Sequence, residues 1–146
     1  MRTSVPILAV LLLASACGGA EPTPTPTATA NVRLAAVPGR PAAGYFELRI
    51  DGDRGALLSV ASPQAGRIEM HETMTRGTMT SMRPIERIPV RDGDRLDFRP
   101  GGRHLMLYDL DPAVRPGGEI VLILNFERGP PRRLSAPATA AGGEIR

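Results

Sequence analysis

The stretch Gly66–Thr73, GRIEMHET, alternates apolar and polar side chains over most of its length. Successive side chains of a β-strand point to opposite faces of a sheet, so Ile68 and Met70 share one face. Glu69 and His71 share the other face. Because the apolar pair is typical of a face that packs on a core, we predict that His71 lies on the outward face.

The same alternation recurs from Asn31 onward, in short apolar segments separated by turn-forming residues. Asp-Gly, Pro-Gly and Gly-Gly steps punctuate these segments, as expected for antiparallel strands. We predict ten strands, near residues 32–37, 43–51, 56–61, 66–73, 79–82, 84–90, 94–98, 103–108, 119–127 and 131–135. The predicted fold class is all-β, a single-domain Greek-key β-sandwich or barrel.

Both ends of the chain differ in composition from this middle part. Residues 1–17, MRTSVPILAVLLLASAC, are typical of a bacterial secretory signal peptide with a lipobox-like end at Cys17. Residues 18–30 are rich in Pro and Thr and are predicted to be a linker. The predicted domain occupies residues 31–135, and residues 136–146 are predicted to form a flexible tail.

Composition excludes several classes of protein. Cys17 is the single cysteine, so the domain has no disulfide, no nucleophilic thiolate and no thiolate for a blue-copper centre. The basic residues are all arginines and are scattered along the chain, unlike the clustered patches that bind nucleic acid. With only two histidines and no spaced catalytic set, we predict that the protein is not an enzyme.

Methionine and histidine are concentrated in one part of the sequence. The segment RHLMLY, residues 103–108, has two leucines of one parity, which are predicted to face the core. His104 and Met106 have the opposite parity, so they are predicted to point away from that core. Beyond the initiator, every methionine and both histidines lie between residues 70 and 106: Met70, His71, Met74, Met79, Met82, His104 and Met106.

Such a group of side chains suits monovalent copper. Thioether sulfur is soft and cannot ionise, and imidazole adds a stronger nitrogen donor that also binds copper. Zinc is a poorer match, because structural zinc sites use thiolate, imidazole and carboxylate. The composition of this segment therefore favours an extracytoplasmic Cu(I) site built without cysteine.

The spacing of four of these residues resembles a known family. Ten residues separate His71 from Met82, a further 21 separate Met82 from His104, and Leu105 alone separates His104 from Met106. This pattern is similar to the H-x10-M-x21-H-x-M signature of the periplasmic copper chaperones called PCu(A)C. The segments around these residues also resemble that family, over about residues 31 to 135.

The resemblance implies a cupredoxin-like β-sandwich, related to the immunoglobulin-like sandwiches, that binds one Cu(I) ion. It implies that His71, Met82, His104 and Met106 are the ligands. The family delivers copper to the CuA centre of cytochrome c oxidase, often beside Sco-type proteins, so the expected partner is one of these acceptors. We expect a monomer in the periplasm or on the extracytoplasmic membrane face, anchored by a lipid at Cys17.

Other residues of the segment receive weaker assignments. Met70 has core parity, whereas Met74 and Met79 fall in a predicted loop, where they could be plain hydrophobic residues or auxiliary sulfur donors. Glu72, Thr73 and Tyr108 are best interpreted as solvated strand residues, with orientation of a ligand imidazole as the alternative. The alternative function that the sequence leaves open is a non-metal envelope lipoprotein that binds a partner through its methionine-rich surface.

Overall fold

The computed structural model describes residues 28–142. The predicted signal peptide, Cys17 and most of the predicted linker lie outside the described residues, as do residues 143–146 of the tail. The described chain forms ten strands: β1 Ala28–Arg33, β2 Ala42–Arg49, β3 Ala56–Ala61, β4 Ala65–Arg76, β5 Met79–Ile85, β6 Ile88–Pro89, β7 Arg95–Phe98, β8 Arg103–Leu110, β9 Glu119–Phe126 and β10 Arg132–Thr139. Within this range, no helix is long and apolar enough to cross a membrane.

The strands are hydrogen-bonded in the order β5-β4-β8-β2-β1-β10-β9-β3-β6, with β7 also paired to β2. Every described pair is antiparallel except β1 with β10, which run parallel with Val32 opposite Ala138. This parallel pair joins the β5-β4-β8-β2 half to the β9-β3-β6 half. The prediction of an all-β fold is confirmed.

The core lies between the two halves and follows the alternation of the sequence. In β9 every second residue is buried, and β2 follows the same rule from Ala42 to Leu48. Phe46 and Phe98 stack with their ring centroids 4.3 Å apart. Leu105 and Leu107 of β8 are fully buried, as their parity predicts.

The domain extends beyond its predicted boundaries at both ends. β1 begins at Ala28, inside the predicted linker, and β10 continues to Thr139, inside the predicted tail. These boundaries were wrong because both segments consist largely of small or polar residues that resemble a linker. They are ordered by their neighbours, since β1 pairs with β2 on one side and with β10 on the other.

The segment from Met74 to Met79 is a β-hairpin in the structure, where the sequence predicts a loop. β4 continues to Arg76 and β5 starts at Met79, so the turn is reduced to Gly77 and Thr78. Gly77 has φ 60°, a left-handed conformation that glycine adopts without steric cost. The hairpin makes β5 an edge strand, and most of its residues are exposed.

Gly44 sets the approach of β2 to β8. It is buried opposite Leu105, and a Cβ atom built there would lie 3.0 Å from Leu107 Cδ1 and 3.1 Å from Leu105 Cβ. We expect Gly44→Ala to lower the free energy of unfolding by about 1–3 kcal/mol, because the extra methyl overpacks a closed core. Urea denaturation of the purified variant measures this loss.

Gly102→Ala is the matched control. Its φ is not in the positive range, and the added Cβ would lie 3.5 Å from Arg99 Cγ, which is an ordinary contact. We expect this variant to be as stable as the parent or slightly more stable, because alanine restricts the unfolded chain. Equal destabilisation of the two variants would contradict the proposed packing role of Gly44.

Candidate metal centre

Strand register brings both histidines together. β4 and β8 run antiparallel with His71 directly opposite His104 and Glu69 directly opposite Met106. Directly opposed residues project to the same face of a sheet. The two imidazole centroids lie 6.0 Å apart, and their planes are inclined at 45°. His71, His104 and Met106 therefore share one patch on the face opposite the buried leucines.

Met82 joins this patch from the edge strand. It lies directly opposite Thr73 of β4, which has the same parity as His71. Met82 is thus the diagonal cross-strand neighbour of His71, at a spacing that long side chains can bridge. The structure brings all four sequence-predicted ligands to one face of the β5-β4-β8 sheet.

The four side chains differ in exposure. His104 is 7% exposed, although it points away from the main core, because β8 lies between β4 and β2. The side chain of His71 is 16% exposed, and Met106 is half-buried. Met82 is 59% exposed. Exposure therefore increases along the series His104, His71 and Met82, from β8 across β4 to the edge strand β5.

Each imidazole has one nitrogen engaged by a protein acceptor. His71 Nε2 donates to Glu69 Oε2 at 3.0 Å, and His104 Nδ1 donates to the carbonyl oxygen of Gly102 at 3.1 Å. A carboxylate and a carbonyl can only accept, so these nitrogens carry the protons of the neutral rings. The lone pairs are then on His71 Nδ1 and His104 Nε2.

Glu69 belongs to a larger cluster of side chains. Arg67 Nη1 lies 3.4 Å from Glu69 Oε1, and the Arg67 guanidinium lies over the Tyr108 ring, 4.1 Å from its centroid. Tyr108 lies close enough to Glu69 for each group to shift the pKa of the other. The hydrogen bond from His71 lowers the pKa of Glu69, with a further contribution from Arg67, while burial and the nearby Glu69 raise the pKa of Tyr108.

One atom in this patch lacks a protein partner. His71 Nδ1 is buried and has no hydrogen-bond partner among the described residues. A buried polar atom without a partner is costly, and a metal ligand is one arrangement that satisfies it. Within residues 28–142 no three His, Cys, Asp or Glu side chains come together as a metal site. The imidazoles and thioethers that share this face are donors that suit a soft ion such as Cu(I).

The remaining methionines lie elsewhere. Met70 is 5% exposed and belongs to the core, as its parity predicts. Met74 lies opposite Ser81 and Met79 lies opposite Arg76, so both have the parity opposite to His71 and Met82. They are on the other face of the hairpin, apart from the four predicted ligands.

Glu69 was not predicted from the sequence to contact a ligand. Of the three neighbours of the predicted ligands that the sequence singled out, Glu72, Thr73 and Tyr108, it is Tyr108 that joins the group of Arg67, Glu69 and His71, through the Arg67 guanidinium over its ring. Glu72 instead pairs with Arg83 at 2.8 Å. Parity alone could have identified Glu69, because it is two residues from His71 on the same strand and the same face.

Comparisons with known proteins give the family. Residues 27–138 match the family described as "Putative lipoprotein LpqE-like", and the chain belongs to this family. It is 31% identical over 88 residues to an uncharacterized protein of Rickettsia prowazekii, a match that covers 59% of this chain and 49% of that protein. It is 29% identical over 105 residues to a "Putative lipoprotein" of Leifsonia xyli, a match that covers 69% of this chain and 62% of that protein.

Solved structures confirm the cupredoxin-like sandwich. The copper-bound PCuAC domain from PmoF2 superposes with a TM-score of 0.60 at 20% identity, over 76% of this chain and 88% of that domain. The Cu(I) form of DR1885 from Deinococcus radiodurans superposes with a TM-score of 0.54 at 26% identity, over 85% of this chain and 83% of that protein. Among the structural neighbours are therefore PCuAC domains, which agrees with the resemblance found in the sequence.

The exposures predict an order of methionine oxidation. Met79 is 77% exposed and Met82 is 59% exposed, whereas Met70 is 5% exposed. With limiting peroxide on the metal-free protein, we expect sulfoxide at Met79 and Met82 first and at Met70 last, because the oxidant must reach the sulfur. Peptide mass spectrometry measures the order. The urea-unfolded chain is the control and should lose this order, whereas early oxidation of Met70 in the folded protein would contradict its core position.

Proposed function

We propose that this protein is an extracytoplasmic Cu(I) chaperone that holds one ion through His71, Met82, His104 and Met106. The observation that carries the proposal is the shared face of these four side chains, set by the registers of β4 with β8 and with β5. The buried, unpartnered Nδ1 of His71 supports it. Two structural neighbours, one copper-bound and one in a Cu(I) form, also support it.

The donor set matches the ion in charge and softness. Two neutral imidazoles and two thioethers leave the single positive charge of Cu(I) on the site, a load that a partly exposed patch can carry. Thioethers favour Cu(I) over harder divalent ions. Neutral ligands of this kind also suit a carrier, because the ion can be released by ligand exchange without protonation of a thiolate.

The difference in exposure fits transfer to another protein. His104 is held in the sheet interior, whereas Met82 is open to solvent on the edge strand. An incoming donor can reach the ion from the Met82 side while His104 remains in place. We propose that the acceptor is a cuproprotein, in the first instance the CuA subunit of cytochrome c oxidase or a Sco-like protein.

We further propose that the signal peptide is cleaved immediately before Cys17 and that Cys17 is lipidated as the new N-terminus, followed by a linker that ends before β1. The lipoprotein family to which the chain belongs supports this. We expect Cys17→Ala to move the protein from the membrane fraction to the soluble envelope fraction. Fractionation followed by immunoblotting measures the shift, and retention of the variant in the membrane would contradict lipidation at Cys17.

Anaerobic Cu(I) titration against a chromophoric chelator tests the ligand assignment. We expect the parent protein to retain one ion. His104→Ala and Met106→Leu should weaken retention by more than about 100-fold, the upper range for loss of an outer-shell contact. X-ray absorption of the loaded parent should show both nitrogen and sulfur neighbours of copper.

Met82→Leu and Met79→Leu form a matched pair on one strand. Both methionines are exposed on β5, but only Met82 has the parity of His71. We expect Met82→Leu to weaken copper retention and Met79→Leu to leave it unchanged. If retention were unchanged in the His104, Met106 and Met82 variants, the ligand assignment would be wrong. If the parent bound no copper, the better interpretation would be a non-metal envelope lipoprotein that binds a partner through its methionine-rich surface.

A further inference from the structure

The two imidazoles of the site are oriented by acceptors of different kinds. His104 is held by a backbone carbonyl, that of Gly102, which bonds to Nδ1. His71 is held by a side-chain carboxylate, that of Glu69, which bonds to Nε2. The two rings therefore leave different nitrogens outside these hydrogen bonds, Nδ1 of His71 and Nε2 of His104, although the residues lie directly opposite each other on adjacent strands.

Glu69 is itself restrained on several sides. Arg67 contacts one carboxylate oxygen at 3.4 Å and His71 bonds to the other at 3.0 Å, while Tyr108 lies against the Arg67 guanidinium. Arg67 is directly opposite Tyr108 in the register and covers its ring. The carboxylate thus has little freedom to rotate away from the imidazole that it accepts from.

We infer that Glu69 is a positioning residue that holds His71 by Nε2, so that copper binds His71 through Nδ1 and His104 through Nε2. That copper binds these two nitrogens rests on the proposed function. That Glu69 holds the ring of His71 rests on the geometry of the protein alone. A carboxylate on the distal nitrogen of a ligand histidine fixes the ring and raises the basicity of the other nitrogen.

The contacts explain why the carboxylate is needed at position 69. His71 Nδ1 is buried without a protein partner among the described residues, an arrangement that a freely rotating ring would avoid. The hydrogen bond to Glu69 at the other end of the ring keeps it in place. Loss of the Glu69 carboxylate releases the ring of His71. Loss of the Tyr108 hydroxyl leaves the hydrogen bond between Glu69 and His71 in place and removes only a neighbour of the carboxylate.

Proton-detected ¹⁵N spectra of the metal-free protein test the positioning role directly. At about pH 8 we expect a slowly exchanging Nε2–H resonance from His71 and an Nδ1–H resonance from His104, because these nitrogens donate to Glu69 and to the Gly102 carbonyl. Glu69→Ala should remove the first and keep the second. Glu69→Gln should retain the first, because its amide oxygen still accepts. If Glu69→Ala kept both resonances, the inference would be overturned.

Copper binding gives the second readout. We expect Glu69→Ala to weaken Cu(I) retention by about 10–100-fold, with a smaller loss in Tyr108→Phe. Glu72→Ala is the matched control, because Glu72 lies one residue from His71 on the opposite parity and pairs with Arg83. It should leave both the resonances and the retention unchanged. Thermal denaturation confirms that each variant is folded.

The nitrogen shifts of the loaded protein complete the test. Copper should move His71 Nδ1 and His104 Nε2, and a shift of His71 Nε2 instead would overturn the assignment. If the parent protein retained no copper, the proposed function would fail, and the ring-proton spectra would still decide whether Glu69 positions His71. The two failures are therefore distinguishable.

Discussion

The register between β4 and β8 is the constraint on which the rest of the site depends. Because side chains alternate with a period of two, a slip of one residue would move His71 to the opposite face from His104. Leu105 and Leu107 prevent that slip, since they are fully buried and would have to exchange places with His104 and Met106. The register that buries these leucines is therefore also the register that brings His71, His104 and Met106 to one face.

This coupling assigns different tasks to the two faces of β8. One face supplies leucines to the closed core, where Gly44 allows β2 to approach closely. The other face carries a histidine whose ring is fixed by the carbonyl of Gly102, in the turn just before the strand. The side chains on this face are therefore positioned by the strands and by the short turn before β8, and not by long loops.

Much of this arrangement can be predicted from the sequence, because alternation reports both strand and face. Ten strands were predicted and residues 28–142 contain ten, and the outward parity of His71 is confirmed by its position. What alternation cannot report is which strand lies beside which. The pairing of β1 with β10 orders small-residue segments that look like linker and tail, and the proximity of Glu69 to Tyr108 depends on the register of β4 with β8. The hairpin around Gly77 likewise separates Met74 and Met79 from the donors by parity, which is hidden when the segment is taken as a loop.

The edge position of β5 gives the site an evolutionary freedom that its other strands lack. Nearly all of β5 is exposed, including Met82, and substitutions at exposed positions away from special features usually change stability by less than about 0.5 kcal/mol. If Met82 is a copper ligand, as proposed, a relative could exchange the donor at this position, and with it the preferred ion, without repacking the protein. His104 has no such latitude, because its strand is flanked on both sides and its neighbours form the core. Relatives that keep this fold are therefore expected to differ at the position of Met82 more often than at the position of His104.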